Sequence, residues 1–178
     1  MTESEPGGDS SSHLCTSCGL CCSGILYDWV PVLDSEKERV ERLGFDIEEH
    51  EPAARFNLPC PRLNGCHCTI YPERPSCCRT FHCKLLKGVE AGEVEPSQAM
   101  AVVVEAKSMI DELRPMLKSD VRTNLGRHWA KLFDDWRNGP PEDRTDASKS
   151  QLILRLTALN RLLDRHFRLN DQPWMTEE

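Results

Sequence analysis

Cys15-Thr16-Ser17-Cys18-Gly19-Leu20-Cys21-Cys22 places four thiols within eight residues, in the spacing CxxCxxCC. Steps of three let successive sulfurs converge on one side of a tight loop, and Gly19 permits a turn that a side chain would obstruct. CxxC is a common zinc half-site. Two overlapping CxxC steps are also the run used by bacterial ferredoxins, whose ligand set is completed by a cysteine followed by proline. Cys60-Pro61 is such a pair, but it lies 39 residues beyond Cys21. Cys21 and Cys22 are adjacent, and neighbouring side chains diverge, so one of them is free to serve a second ion or a shared cluster.

Working outward, all ten cysteines fall between Cys15 and Cys83, and the long remainder of the 178-residue chain has none. Scattered core thiols would not segregate in this way. The first thirteen residues are polar and acidic with no apolar run of signal-peptide length, and no stretch approaches the roughly 20 apolar residues of a membrane span. The expectation is therefore a cytoplasmic protein with no membrane association. In that reducing compartment clustered cysteines are more often metal ligands or redox centres than disulfides.

The net charge of −7 is uneven. Residues 1–51 carry twelve acidic side chains against three basic, whereas in residues 52–88 six basic side chains, among them Arg74 and Arg79, face only Glu73. A cluster of metal-bound thiolates carries excess negative charge, which such a basic surround stabilises. The acidic total and the shortness of the basic segment argue against nucleic-acid binding.

Punctuation and periodicity divide the chain into a disordered tail (1–13), a cysteine-cluster module (14–88), a helical region (89–170) and a second tail (171–178). Within the module, Ile25–Leu33 is apolar and extended. A short helix follows, with Ser35 and Glu38 in capping-box spacing and Gly44 as its stop. From about Phe45 to Gly88 the chain is rich in proline, glycine and cysteine, without a sustained period, and reads as irregular backbone that a core alone does not hold.

The helical region has three apolar stripes. The first is Ala99, Val103, Ala106, Ile110, Leu113 and Leu117, opened by Pro96 and kinked or ended by Pro115. The second is Val121, Leu125, Trp129, Leu132 and Trp136. The third, capped by Asp146, is Leu152, Leu156, Leu159, Leu163 and Phe167. Mutual packing is the plain reading of all three. The fold expected is mainly α: an irregular cysteine-rich metal-binding module packed on a small C-terminal helical bundle.

The second cysteine motif runs Pro59-Cys60-Pro61-Arg62-Leu63-Asn64-Gly65-Cys66-His67-Cys68-Thr69-Ile70-Tyr71-Pro72-Glu73-Arg74-Pro75-Ser76-Cys77-Cys78-Arg79-Thr80-Phe81-His82-Cys83. With the first motif it resembles the YkgJ-like, or CxxCxxCC, family of zinc- or iron-chelating proteins, whose pattern pairs CxxCxxCC with a later CP, C-x-IY and RP-x-x-CR-x-F-x-C. The resemblance covers about residues 15–83. It implies eight ligand candidates: Cys15, Cys18, Cys21, Cys22, Cys60, Cys68, Cys78 and Cys83. Cys66 and Cys77 fall outside the pattern, as free thiols or local substitutes. The flagellin lysine methylase family looks related through the same cysteines, which keeps a modifying enzyme in view.

His67 and His82 stand beside cysteines, either as replacement ligands or, as the plainer reading, as histidines that are exposed or support the ligands from behind. Arg74 and Arg79 are placed to neutralise thiolate charge, and Tyr71 and Phe81 to pack as a satellite core. No nucleophile–base pair, phosphate loop or HExxH helix occurs, so no catalytic residue is assigned. The functional expectation is a metal-binding protein holding zinc or iron, with an iron–sulfur cluster among the candidates, and with no partner indicated. The alternatives are an iron–sulfur-dependent redox or protein-modifying enzyme and a thiol redox sensor.

Overall fold

The structure is a computed structural model, and it describes residues 10–117, 125–140 and 145–169. These residues are mainly helical. Helix α1 (Ser10–Cys18) is followed by strand β1 (Trp29–Pro31), a 3₁₀ turn at Asp34–Glu36 and α2 (Lys37–Arg42). Strands β2 (Arg55–Asn57), β3 (Leu63–Asn64) and β4 (His67–Cys68) lead through a 3₁₀ turn at Tyr71–Glu73 to α3 (Ser76–Thr80) and α4 (Lys84–Glu90). The C-terminal part holds α5 (Pro96–Leu113), α6 (Leu125–Asn138) and α7 (Ala147–His166).

The first apolar stripe is buried along its whole length, from Ala99 to Leu117. Pro96 occupies the first turn of α5, where its missing N–H costs nothing, and Pro115 falls in the 3₁₀ turn that ends the helix. In the third stripe Leu156, Leu159, Leu163 and Phe167 are buried and Leu152 is half-buried. Asp146 caps α7 as expected, its carboxylate accepting the N–H groups of Ser148 at 2.8 Å and Lys149 at 3.2 Å. Of the second stripe, Leu132 and Trp136 pack against the same core. Val121 lies outside the described residues, as do the side chains of Leu125 and Trp129.

This core is not confined to the C-terminal helices. Leu14, Leu20, Ile25 and Leu26 enter it from the cysteine-rich segment, and α1 packs on both α4 and α5. Arg168 adds polar ties: its guanidinium donates to the carbonyl oxygens of Leu26 at 3.2 Å and Ile25 at 3.4 Å. A second, smaller core gathers Val32, Val40, Phe45, Phe56 and Leu58 around the antiparallel pair β1–β2, in which Val30 faces Phe56. Phe45 and Phe56 meet there with ring centroids 4.5 Å apart.

Several local expectations are corrected. Ser10–His13 belong to α1 rather than to a tail, and the first CxxC sits on that helix rather than in a loop. The capping box at Ser35 does not form, because Asp34–Glu36 coil into a 3₁₀ turn and no side chain caps α2. Glu36 instead reaches across to accept the N–H of Ser76 at 3.1 Å, tying α2 to α3. The extended part of Ile25–Leu33 is only the three residues of β1. Residues 84–88, read as irregular, form most of α4, whose bounds run across residue 88. Gly88 looks like punctuation but is buried, and a Cβ there would come 3.0 Å from the Val94 side chain. The satellite core is built from the Val32–Leu58 set, while Tyr71 lies beneath the Arg74 guanidinium at 3.8 Å and Phe81 packs edge-on to Tyr27.

Truncating the centre of the main core should cost far more than removing a cap. Leu156→Ala should destabilise the protein by about 2–5 kcal/mol and Asp146→Ala by about 1 kcal/mol, as read from denaturant midpoints. Equal effects would mean that α7 is not seated on α5 as described.

Candidate metal centre

Each cysteine segment is aimed by a specific local structure. Cys15 and Cys18 lie three residues apart on the last turn of α1, which puts their side chains on one face. Gly19 then reverses the chain with φ +70°, its N–H reaching the Cys15 carbonyl at 3.3 Å, as in a helix-ending left-handed cap. A Cβ at Gly19 would lie 3.0 Å from the Cys66 Cα, so the position demands glycine both for its dihedral and for its close approach to the second motif.

The second motif is held against the first by the main chain. The Cys60 N–H donates to the Cys22 carbonyl at 2.8 Å, and the Cys60 carbonyl accepts Leu63 N–H at 3.1 Å. In the β3–β4 hairpin Leu63 faces Cys68. Cys78 lies in the short helix α3. Cys83 is the N-cap of α4, its sulfur accepting Leu86 N–H at 3.5 Å.

These placements bring nine of the ten cysteines onto the wall of one cavity of about 280 Å³. All eight ligand candidates are there, together with Cys66; Cys77 is not. Arg74, Arg79 and His82 also line it, whereas His67 does not and is exposed on β4. His82 is engaged elsewhere, with Nδ1 2.7 Å from Glu90. The Cys66 sulfur accepts from Lys107 Nζ at 2.9 Å, and the same ammonium donates to the Ser17 carbonyl at 3.1 Å. That ammonium contact was not foreseen, since nothing in the sequence links α5 to Cys66. Cys83 as a helix cap was also missed, for a sulfur N-cap has no strong residue preference behind it.

All ten cysteines are free thiols, each partly buried. Burial, reinforced by the neighbouring Cys83 sulfur, pushes Cys15 up to about 11. Cys18 is pushed up to about 12, again mainly by burial. Burial also raises Cys60 to about 11, with Cys22 and Cys68 adding repulsion, and raises Cys83. Two vicinal pairs share protons. The contact between Cys21 and Cys22, sulfur to sulfur at 3.8 Å, raises Cys21 and lowers Cys22. Cys78 is likewise raised by its hydrogen bond to Cys77, and Cys77 is lowered.

The donor set fits a thiolate-binding cation such as zinc or iron, for which soft sulfur ligands are suited. Without a cation the same set is self-opposed, because each sulfur that ionises raises the cost for its neighbours. The Arg74 Nε is buried and makes no hydrogen bond, which suits a cation facing anionic sulfur. Among the described residues no three His, Cys, Asp or Glu side chains are already gathered closely enough to hold an ion. The thiols thus surround the cavity without having closed on a common point.

A family model matches residues 14–102, half of the chain, under the description "CxxCxxCC: Putative zinc- or iron-chelating domain". The chain belongs to the CxxCxxCC family. The match takes in α1 through the first turns of α5 and hence every cysteine. No curated protein and no solved structure shows significant similarity to the chain. No helix among the described residues is long and apolar enough to cross a membrane.

The raised thiols set a pH dependence. The unfolded chain ionises its cysteines near 9, whereas the fold keeps Cys15 and Cys60 neutral to about 11 and Cys18 to about 12. The stability these groups contribute to the metal-free fold is therefore complete below pH 9 and is lost as pH climbs to about 12. In metal-free protein, residue-resolved alkylation of Cys15 should still be accelerating above pH 9 and level off near 11. A plateau at 9 would show that its sulfur is not desolvated.

Proposed function

We propose that this protein is a thiolate metal-binding protein that holds zinc or iron for structure, storage or delivery, with no catalytic residue of its own. The observation that carries the reading is the convergence of Cys15–Cys22, Cys60–Cys68 and Cys78–Cys83 on one cavity. Membership of a zinc- or iron-chelating family supports it. The eight sulfurs of the family pattern are the ligands in this reading. Arg74 and Arg79 supply positive charge, and His82 stands at the margin, held by Glu90.

The energetics agree. Residues 55–83 contain only short strands and single-turn helices. Fixing backbone costs about 1–2 kcal/mol per residue, whereas a structural zinc site in a small peptide contributes roughly 10–16 kcal/mol at neutral pH. Only Phe56 and Leu58 of the second core belong to this segment, so coordination is a large addition to the little that packing gives it. The cytoplasmic location expected from the sequence belongs to the same proposal, since a reducing compartment keeps the ligand sulfurs available.

Elemental analysis of protein purified without oxygen tests this directly. The expected result is zinc or iron in at least stoichiometric amount, reduced by Cys18→Ser and by Cys78→Ser. Colourless zinc protein would remove the iron–sulfur alternative, while brown protein with iron and acid-labile sulfide would favour it. Metal-free protein with ten freely titrating thiols would overturn metal binding and leave a thiol redox sensor.

A further inference from the structure

We propose that the cavity is two metal sites rather than one, each a four-sulfur centre for a divalent cation of the zinc class. Cys15, Cys18, Cys21 and Cys83 form the first. Cys22, Cys60, Cys68 and Cys78 form the second, so that the vicinal pair is divided between them. This inference rests on the metal-binding reading above and deepens it by assigning ligands.

Packing makes the division. Cys15, Cys18, Cys21 and Cys83 all lie against the main core, the one built on α5 and α7. Cys60 and Cys78 lie against the second core, around β1–β2. The two sulfurs that touch neither core are assigned by the main chain. The Cys22 carbonyl holds the Cys60 N–H, and Cys68 faces Leu63, whose own N–H is held by the Cys60 carbonyl. On the other side, α1 packs against α4, which brings Cys83 at the N-cap of α4 to the face that carries Cys15 and Cys18.

The vicinal pair stands where the two sets meet, Cys21 packed on the main core and Cys22 bonded through its carbonyl to Cys60. Their sulfurs touch at 3.8 Å, which makes the pair a common wall between adjoining sites. Four thiolates complete a tetrahedral ion. A single ion in this cavity would therefore leave four more of its sulfurs without an ion to bind. The two cysteines outside the family pattern are accounted for separately: Cys66 is paired with Lys107, and Cys77 does not line the cavity. Arg74, whose unpartnered Nε is buried, lines the cavity that both sets share.

Anaerobic titration of the reduced, metal-stripped full chain with Co(II), followed by thiolate-to-cobalt absorption and native mass spectrometry, tests this. The expected end point is two ions per chain. Cys18→Ser should lose one ion and keep Cys60 and Cys78 protected from alkylation, and Cys60→Ser should do the reverse. Wild-type protein tests the assignment without relying on either variant's folding: molecules carrying one ion should have protected thiols drawn from one set only. Saturation at one ion, or protected thiols mixed from both sets, would overturn the two-site inference while leaving metal binding intact. Failure to bind Co(II), Zn(II) or Fe(II) would overturn both.

Discussion

Sulfur that has been taken out of water ionises reluctantly, and here nine partly buried cysteines line one small cavity. Burial, the largest cause, together with neighbouring sulfurs pushes Cys15 and Cys60 up to about 11 and Cys18 up to about 12, and each thiolate formed raises the cost of the next. A neutral, fully protonated set is one resolution of that conflict. Coordination of a cation is the other, and it reverses the sign: charges that repelled one another now share an attractive centre. The basic stretch of residues 52–88, with the buried Nε of Arg74, acts in the same direction without coordinating anything.

The architecture around the cavity follows from how little else holds residues 55–83. Their strands are two or three residues long and their helices, before α4, no more than five. Among the features that position them are the Cys60–Cys22 main-chain bond, the Glu36 bridge to Ser76 and the Phe45–Phe56 core. The two hydrogen bonds contribute about 1–3 kcal/mol each, and among the described residues this core has five buried residues where the main core has seventeen. The long helices differ in kind. Their apolar stripes bury one another, and a large core residue there contributes roughly 1.5–3 kcal/mol through its burial.

What could be read from the sequence follows this same division. The stripes on α5 and α7 were legible because a buried helix face imposes its period on the residues themselves, and Pro96, Pro115 and Asp146 mark ends by local rules. The family pattern led to the eight sulfurs that now line the cavity. The rest was hidden for identifiable reasons. Ser35 has the right spacing for a cap, but Glu36 is used across the fold, which no local rule records. Gly88 carries the composition of a turn and the packing of a helix. Lys107 meets Cys66 through a contact 41 residues apart in sequence, and nothing nearer in the chain announces it.

Cys83 joins the two kinds of order. It caps α4 through the Leu86 N–H, it lies on the cavity, and it is packed against the main core. The next residue, Lys84, donates its backbone N–H to the Phe167 carbonyl at 3.1 Å, at the far end of α7. Arg168 adjoins that link and holds the carbonyl oxygens of Ile25 and Leu26, just beyond the first motif. A thiolate accepts an N–H more strongly than a neutral thiol does. Ionising Cys83 by coordination would therefore strengthen the cap of α4, and through α4 the seat of α7. Coordination would thus reach the helices through this sulfur as well as through the shared core, and filling the cavity would tighten a bundle that makes no ligand of its own.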